Sequence, residues 1–262
     1  MLTILYMLRH AALNSELSRV IQRISNRGER VIIDYARENV NAREAPMIRN
    51  ITETMVSAMP PGSMCALKLT SFGSEQSPER ACEHASHIID VAKNKRIRVC
   101  LDAEDVLYPE ACYELMRRHN TVDVPHVYNT YQMYRRDGLV DMCRDADSAK
   151  RDGFMIGLKL VRGAYLRRQR GLFGNKSETD TQFDEAVRRA LTTPHAHTIL
   201  ATHNESSLAL ASEYDRRTYV IAQLMGLGRP LGSSDYRYVP YGTFYELFPY
   251  LLRRLRERMS WE

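Results

Sequence analysis

Cysteine is scarce and unpaired in the 262-residue chain. Cys65, Cys82, Cys100, Cys112 and Cys143 are odd in number, widely spaced and without a C-x-x-C pair. That pattern argues against a disulfide framework or structural zinc and fits a reducing compartment. Long apolar runs are missing too. The longest candidate, Met1 to Leu8, soon meets Arg9, far short of the roughly 20 residues that span a bilayer. A soluble chain, or one peripheral to a membrane, is expected. A strong charge bias is also absent: 37 Lys+Arg against 32 Asp+Glu leave +5, spread without the basic stripe a nucleic-acid module needs. No nucleic-acid partner is expected. Neither G-x-G-x-x-G nor G-x-x-x-x-G-K-[ST] occurs, and G-L-G-R-P-L-G (Gly226 to Gly232) has the wrong spacing. Any dinucleotide must therefore bind by another route.

What is present excludes disorder, because 44% of the residues are apolar and only 26% charged, enough for one sizeable core. No internal repeat, low-complexity tract or flexible linker divides the chain. Residues 1–29 read as an amino-terminal helix, Ser15 to Arg27, with the remnant of a presequence. Arg9, Arg19, Arg23 and Arg27 suit a mitochondrial targeting segment, whereas Glu16 and Glu29 do not. Residues 30–262 read as the main domain.

Short β-branched runs alternate with segments of helical period, the pattern of parallel strands joined by crossover helices. Strands are expected at Arg30 to Tyr35, Met64 to Ser71, Ile97 to Asp102, His126 to Tyr131, Met155 to Val161, His197 to Thr202, Tyr219 to Leu224 and Tyr236 to Val239. Helices are expected at Ala42 to Ala58, Pro78 to Lys93, Pro109 to Arg118, Leu139 to Arg151, Thr181 to Leu191, Ser206 to Tyr214 and Thr243 to Met259. The fold class is α/β, a (β/α)8 TIM-type barrel, close to the typical ~250 residues of that fold. Between Gly226 and Tyr236 the chain is too short for an ordinary crossover, so the helix between strands 7 and 8 is expected to be shortened or missing.

In such a barrel, polar residues at the carboxyl ends of strands look into the catalytic mouth. Those ends offer Glu38, Lys68, Asp102, Glu104, Gln132, Lys159, Arg162, His203 and Asn204. Lys68 lies in the apolar run C-A-L-K-L-T and must be paired; Asp102, one strand away, is the expected partner. In the last helix Tyr250, Arg253, Arg254 and Glu257 fall at i, i+3, i+4 and i+7 and share one face. Two guanidinium forks beside an aromatic ring suit a carboxylate on a small apolar body, although an ordinary solvated basic face has the same spacing. Thr243 and Glu246 have capping-box spacing, and Pro249 is expected to kink the helix. Cys82, His84 and His87 have no further convergent ligand and read as solvated side chains; no metal is expected.

The ordered segments C-A-L-K-L-T, L-D-A-E, Y-N-T-Y-Q-M-Y, L-K-L-V-R-G-A-Y, A-T-H-N, A-Q-L-M-G-L-G and Y-V-P-Y-G, followed by P-Y-L-L-R-R-L-R-E, resemble the proline dehydrogenase family. The likeness runs from about Arg30 to Glu257 and is nearer the eukaryotic branch. It implies a barrel that holds FAD non-covalently, oxidises L-proline to 1-pyrroline-5-carboxylate and passes electrons to a quinone. Arg253 and Arg254 match the family's carboxylate-binding pair, Glu257 its supporting acid and Tyr250 the ring over the pyrrolidine. Lys68, Asp102, Tyr238 and Leu224 match the remaining pocket wall. Gln132 and Lys159 match groups near the isoalloxazine, with Arg162, Gly163, Ala164 and Tyr165 beside it. Lys176, Thr179, Thr202, His203 and Asn204 match contacts along the rest of the flavin. Lys159 stands where bacterial members carry arginine. The resemblance also implies a mitochondrial location, on the matrix side of the inner membrane, if the chain is eukaryotic, and a cytoplasmic or peripheral-membrane one otherwise. A non-catalytic relative acting as a binding module, and another flavin barrel such as a methylenetetrahydrofolate reductase, remain open at this point.

Overall fold

The computed structural model describes residues 10–104, 108–164, 171–227 and 234–260, with side chains in the final helix described as far as Leu252. The strands are β1 (Ala12–Leu13), β2 (Arg30–Tyr35), β3 (Met64–Leu67), β4 (Arg98–Leu101), β5 (Val127–Gln132), β6 (Ile156–Val161), β7 (Ala196–Ala201), β8 (Tyr219–Leu224) and β9 (Tyr236–Gly242). The helices are α1 (Leu17–Ser25), α2 (Ala45–Ala58), α3 (Pro78–Asn94), α4 (Pro109–His119), α5 (Gly138–Asp152), α6 (Lys176–Leu191), α7 (Glu205–Ala211) and α8 (Phe244–Ser260). Strands β2 to β9 pair in sequence order, all parallel, and β9 returns to pair with β2, closing the barrel. The expected (β/α)8 barrel is the observed one.

Side-chain parity along the strands sorts residues into two compartments. Ile32, Met64, Ala66, Cys100, Tyr128, Ile199, Ala222 and Tyr236 pack together inside the barrel. Val31, Ile33, Val99, Leu101, Leu158 and Leu160 instead meet the outer helices. Gly157 makes room for this filling: a Cβ there would lie 2.4 Å from the Val127 carbonyl oxygen and 2.9 Å from the Tyr128 ring. Tyr128 is fully buried at that position.

The connection from β8 to β9 contains no helix among its described residues, and residues 228–233 lie outside them. The outer wall of β9 is nonetheless buried. Arg237 is 1% exposed and reaches Glu29 with both arms of its guanidinium, at 2.7 and 3.2 Å. Ser234 donates to the same carboxylate. Towards the mouth, β1 pairs with β9 at Tyr241 and Gly242, just beyond the three positions where β8 pairs with it. The segment before β2 is thus built into the barrel wall, with Leu17 and Ile24 buried in the main core.

Two boundaries differ most from the sequence-based expectation. The second barrel strand stops at Leu67 and not at Ser71, because residues Leu69–Phe72 form a 3-10 turn that ends on Gly73 in the left-handed region, φ 75°. Helix α6 starts at Lys176 and not at Thr181. Asn175 caps it, accepting from the Glu178 N–H at 2.9 Å, and Glu178 answers by accepting from Gly174. Helix α8 continues through Pro249 as one assigned element, started by the Thr243–Glu246 reciprocal bonds.

Candidate active site

At the carboxyl ends of the strands a cavity of about 520 Å³ opens, lined from nearly every strand of the barrel. Lys68, Asp102, Gln132, Lys159, Leu224, Tyr238 and Tyr250 line it, and so do Arg162, Gly163, Ala164, Lys176, Thr202, His203 and Asn204. Thr179 does not; it is 2% exposed and donates to the Asn175 carbonyl at 3.3 Å. Tyr165 lies outside the described residues, as do the side chains of Arg253, Arg254 and Glu257.

The charges on the floor are arranged differently from the expected pairing of Lys68 with Asp102. Lys68 pairs with Asp34 of β2, and its ammonium is 4.0 Å from Glu38. Asp102 pairs with Lys159 across the mouth and accepts the Tyr238 hydroxyl on its other oxygen. The reason is register. Ile32 and Asp34 share the inward parity of β2, and Asp34 sits opposite Ala66 of β3, within reach of Lys68 two residues on. Asp34 was missed because it reads as an interruption in the apolar run R-V-I-I-D-Y. The signal that finds it is strand parity, which puts Asp34 on the same face as Ile32.

The two buried carboxyls are inequivalent. Burial pushes Asp34 above its ordinary value, and the Lys68 ammonium only partly offsets this. Burial acts on Asp102 as well, but Lys159, Lys68 and the two donated bonds outweigh it and hold Asp102 below the usual carboxylate range. Burial alone would lower the Lys159 ammonium; Asp102 reverses the sign and keeps it raised. Two lysines and two aspartates, all under 15% exposed as side chains, give an electrostatically paired floor.

The opposite wall is built for a ligand with acceptors. His203 accepts the Leu224 N–H on Nε2 at 3.1 Å, so its proton is on Nδ1, and that atom is buried without a partner among the described residues. Burial, then the Arg237 charge, lowers the His203 pKa to about 4 and keeps the ring neutral. Thr130 Oγ1, beside Lys159 on the neighbouring strand, is likewise buried without a partner among the described residues. Arg162 is fixed by Asp180, by Thr202 Oγ1 at 2.6 Å and by Ser207 Oγ at 3.0 Å, and its guanidinium stacks 4.2 Å from the Phe183 ring. Gly163, at φ 131°, has no room for a side chain, since a Cβ would lie 2.0 Å from the Tyr134 ring. Lys176 stands at the start of α6, where helix dipole and ammonium both favour an anion. These groups fit a large polar cofactor with phosphates: orphaned donors, a fixed guanidinium and a cationic helix start face one cavity.

Tyr250 and Leu224 close the mouth with Ala11, Ala36, Leu247 and Leu251. Tyr250 is 6% exposed. Helix α8 thus lies over the cavity by its apolar first half. Glu104, a strand-end residue of the L-D-A-E segment, does not line this cavity. It accepts from Thr70 N–H at 3.2 Å and from the Thr70 hydroxyl, and burial pushes it up to about 8. Among the other histidines noted in the sequence, His87 pairs with Glu53 at 2.8 Å and His84 packs against Phe72.

The arrangement has close parallels. In sequence, the chain is 31% identical over 197 residues to human mitochondrial proline dehydrogenase 1, covering 63% of this chain and 33% of that protein. It is 36% identical over 194 residues to the carbapenem antibiotics biosynthesis protein CarD of Pectobacterium carotovorum, covering 66% of this chain and 51% of that one. It is 29% identical over 243 residues to mouse hydroxyproline dehydrogenase, covering 79% and 53%. The matched part is thus about a third to a half of these relatives' length. In fold, proline utilization A from Bdellovibrio bacteriovorus, inactivated by N-propargylglycine, superposes with a TM-score of 0.83 at 20% identity, over 96% of this chain and 32% of that one. The sequence model of the proline dehydrogenase family matches residues 14–261, nearly the whole chain, and the chain therefore belongs to the proline dehydrogenase family.

Proposed function

We propose that the chain oxidises L-proline to 1-pyrroline-5-carboxylate with FAD and passes the electrons to a quinone. The observation that supports this best is the cavity itself. Paired lysine and aspartate side chains form its floor, and orphaned donors wait on the opposite wall. FAD, when bound, supplies the hydride acceptor. His203 and Thr130 have donors to offer it and Lys176 a cation for its phosphates.

The chain's own residues then bind and orient the substrate. Arg253 and Arg254 hold the proline carboxylate, with Glu257 supporting them, while Tyr250 and Leu224 pack against the ring. Charge-assisted bidentate bonds of this kind fix the substrate in register with the acceptor, which is the main catalytic contribution in a transfer that needs little from side-chain chemistry. Lys68, Asp102 and Tyr238 complete the wall. A quinone acceptor implies work at a membrane surface. Among the described residues no helix is long and apolar enough to cross one. In a eukaryote the reading puts the protein on the matrix side of the mitochondrial inner membrane, with residues 1–29 including what is left of a presequence. Elsewhere it is cytoplasmic or peripheral to the membrane.

The test is a visible spectrum. Purified chain reconstituted with FAD should be yellow and should bleach with L-proline. A colourless product contradicts the reading. Yellow protein that bleaches with NADH and not with proline favours a reductase of the methylenetetrahydrofolate type, and yellow protein that bleaches with neither favours a binding module.

A further inference from the structure

The two carboxyls on the cavity floor differ in one respect that matters for a substrate amine. Both oxygens of Asp102 are occupied, Oδ1 by Lys159 and Oδ2 by Tyr238. Asp34 is occupied on Oδ1 alone, by Lys68; its Oδ2 is buried and has no hydrogen-bond partner among the described residues. Asp34 lines the cavity with a side chain only 2% exposed. A buried carboxylate oxygen left without a donor is costly. It is most readily explained by a donor that arrives with a ligand.

The ring nitrogen of a proline-like substrate is such a donor. It enters as a protonated secondary ammonium with two N–H groups, and its lone pair must be freed before hydride can leave the neighbouring carbon. We infer that Asp34 is the proton acceptor for the substrate ammonium, an inference that rests on the proline-oxidising reading above. In this step one N–H bond of the ammonium breaks and an O–H bond forms on Asp34 Oδ2. The substrate passes from ammonium to free amine and Asp34 from carboxylate to acid, while Lys68 keeps its bond to Oδ1. No oxidant is consumed in this step, since hydride loss from the free amine to the flavin follows as the separate oxidation proposed above.

The surroundings suit an acceptor that must give its proton back. Facing Asp34 are Lys68 and Cys65 of β3, Glu38 after β2, Asp102 of β4, Lys159 of β6, and Tyr238 and Tyr241 of β9. Burial, Asp102 and Glu38 favour the protonated form, and Lys68 opposes it. Asp102, held ionised, lacks that range. Two neighbouring acids whose environments push them in opposite directions divide into a proton carrier and a fixed charge.

The test is Asp34→Asn, which keeps the shape and an oxygen for Lys68 but cannot accept a proton. FAD-loaded wild type and variant are mixed with L-proline in a stopped-flow instrument and flavin bleaching is followed against pH. At neutral pH the variant should reduce its flavin roughly 100-fold or more slowly, the usual contribution of a general base. It should recover as rising pH strips the amine in solution. Binding of the ring-oxygen analogue of proline, which has the carboxylate but no N–H, should be unchanged. Thiazolidine-4-carboxylate, whose amine is more acidic, should lose less than proline does. Wild-type rates in the variant at neutral pH, or an equal loss for both amines at every pH, would overturn the assignment. Where Asp34→Asn fails to hold flavin, Asp34→Glu takes its place: a retained carboxylate should stay within about tenfold of wild type, and a full loss of rate in flavin-loaded Asp34→Glu counts against the role. Wild-type flavin that proline does not bleach would instead defeat the underlying reading.

Discussion

The Lys159 ammonium lies 5.0 Å from the centre of the Tyr238 ring, and both side chains donate to the same carboxylate, Asp102. Three residues from three strands thus form one buried unit, in which the cation is neutralised twice, by the carboxylate and by the face of the ring. The unit spans the mouth from β4 through β6 to β9 and sets the width of the cavity floor.

Removing its cation should be far more damaging than removing the whole unit. Lys159→Met leaves Asp102 buried with the Tyr238 hydroxyl bond and the more distant Lys68 charge, and stability should fall by about 3 to 5 kcal/mol. Adding Asp102→Leu to that variant should restore a measurable part, because the stranded charge has gone. Urea denaturation of the single and double variants checks this; a double variant less stable than Lys159→Met would contradict the pairing.

Glu104 predicts a loss of stability on the alkaline side. Its carboxyl is raised by burial to about 8 in the folded chain, well above the ordinary value of 4.5, so between these values the folded state holds a proton that the unfolded state has released. Stability contributed by this group is complete below the unfolded value, falls as pH rises, and has gone above about 8. Glu104→Gln keeps the acceptor for Thr70 and cannot ionise. Its stability relative to wild type should therefore be greater at pH ~9 than at pH ~6, as measured by denaturant midpoints at the two values. A difference that does not change with pH would show that Glu104 titrates normally.

Two histidines set the acid side. Burial lowers both His197 and His203 to about 4, with Arg98, Arg216 and Arg30 adding to the effect at His197 and Arg237 at His203. Here the unfolded chain is the one that binds the extra protons, so stability is present above about 6.5 and drains away as pH falls towards 4. His197→Gln and His203→Gln should each flatten that slope by up to one proton, and the double variant by up to two. Unfolding midpoints from pH ~7 to ~4.5 give the slope directly; unchanged slopes in both variants would mean that the rings are already charged when folded.

The barrel was legible because its signals are local and repeated: β-branched runs of strand length, helical periods between them, and polar residues where the runs end. The pairing inside the mouth was not. Lys68 and Asp102 lie on adjacent strands, yet Lys68 bonds to Asp34 on the other side and Asp102 to Lys159, two strands away. Partner choice depends on stagger between strands, which no single segment encodes. Thr179 shows the same limit at smaller scale. The sequence placed it before a helix expected from Thr181, whereas the Asn175 cap starts the helix at Lys176 and turns Thr179 onto its own first turn. The short β8–β9 connection lies partly outside the described residues, at 228–233. That the β9 exterior would be covered all the same required Glu29 and Arg237, 208 residues apart, to meet.

Gly163 offers the sharpest test of how the cavity-facing segment after β6 is built. It follows Arg162, which is tied to Asp180, Thr202 and Ser207, and its φ of 131° is open to glycine and strained for any other residue. A methyl group there would lie 2.0 to 2.5 Å from three ring carbons of Tyr134. Tyr134 is itself 1% exposed, so the ring has nowhere to go. The backbone must move instead, and with it Ala164 and the guanidinium of Arg162 on the cavity wall. Gly163→Ala should therefore cost about 2 to 4 kcal/mol of stability by strain and overpacking. It should also weaken FAD retention more than the stability loss alone accounts for. Gly171 is the control, since it too has positive φ but no described residue within 4 Å of a Cβ. Gly171→Ala should keep normal flavin occupancy and lose only about 1 kcal/mol. Equal flavin loss in the two variants, read from the absorbance ratio of bound cofactor to protein, would show that the close approach at Gly163 has no part in holding the cofactor.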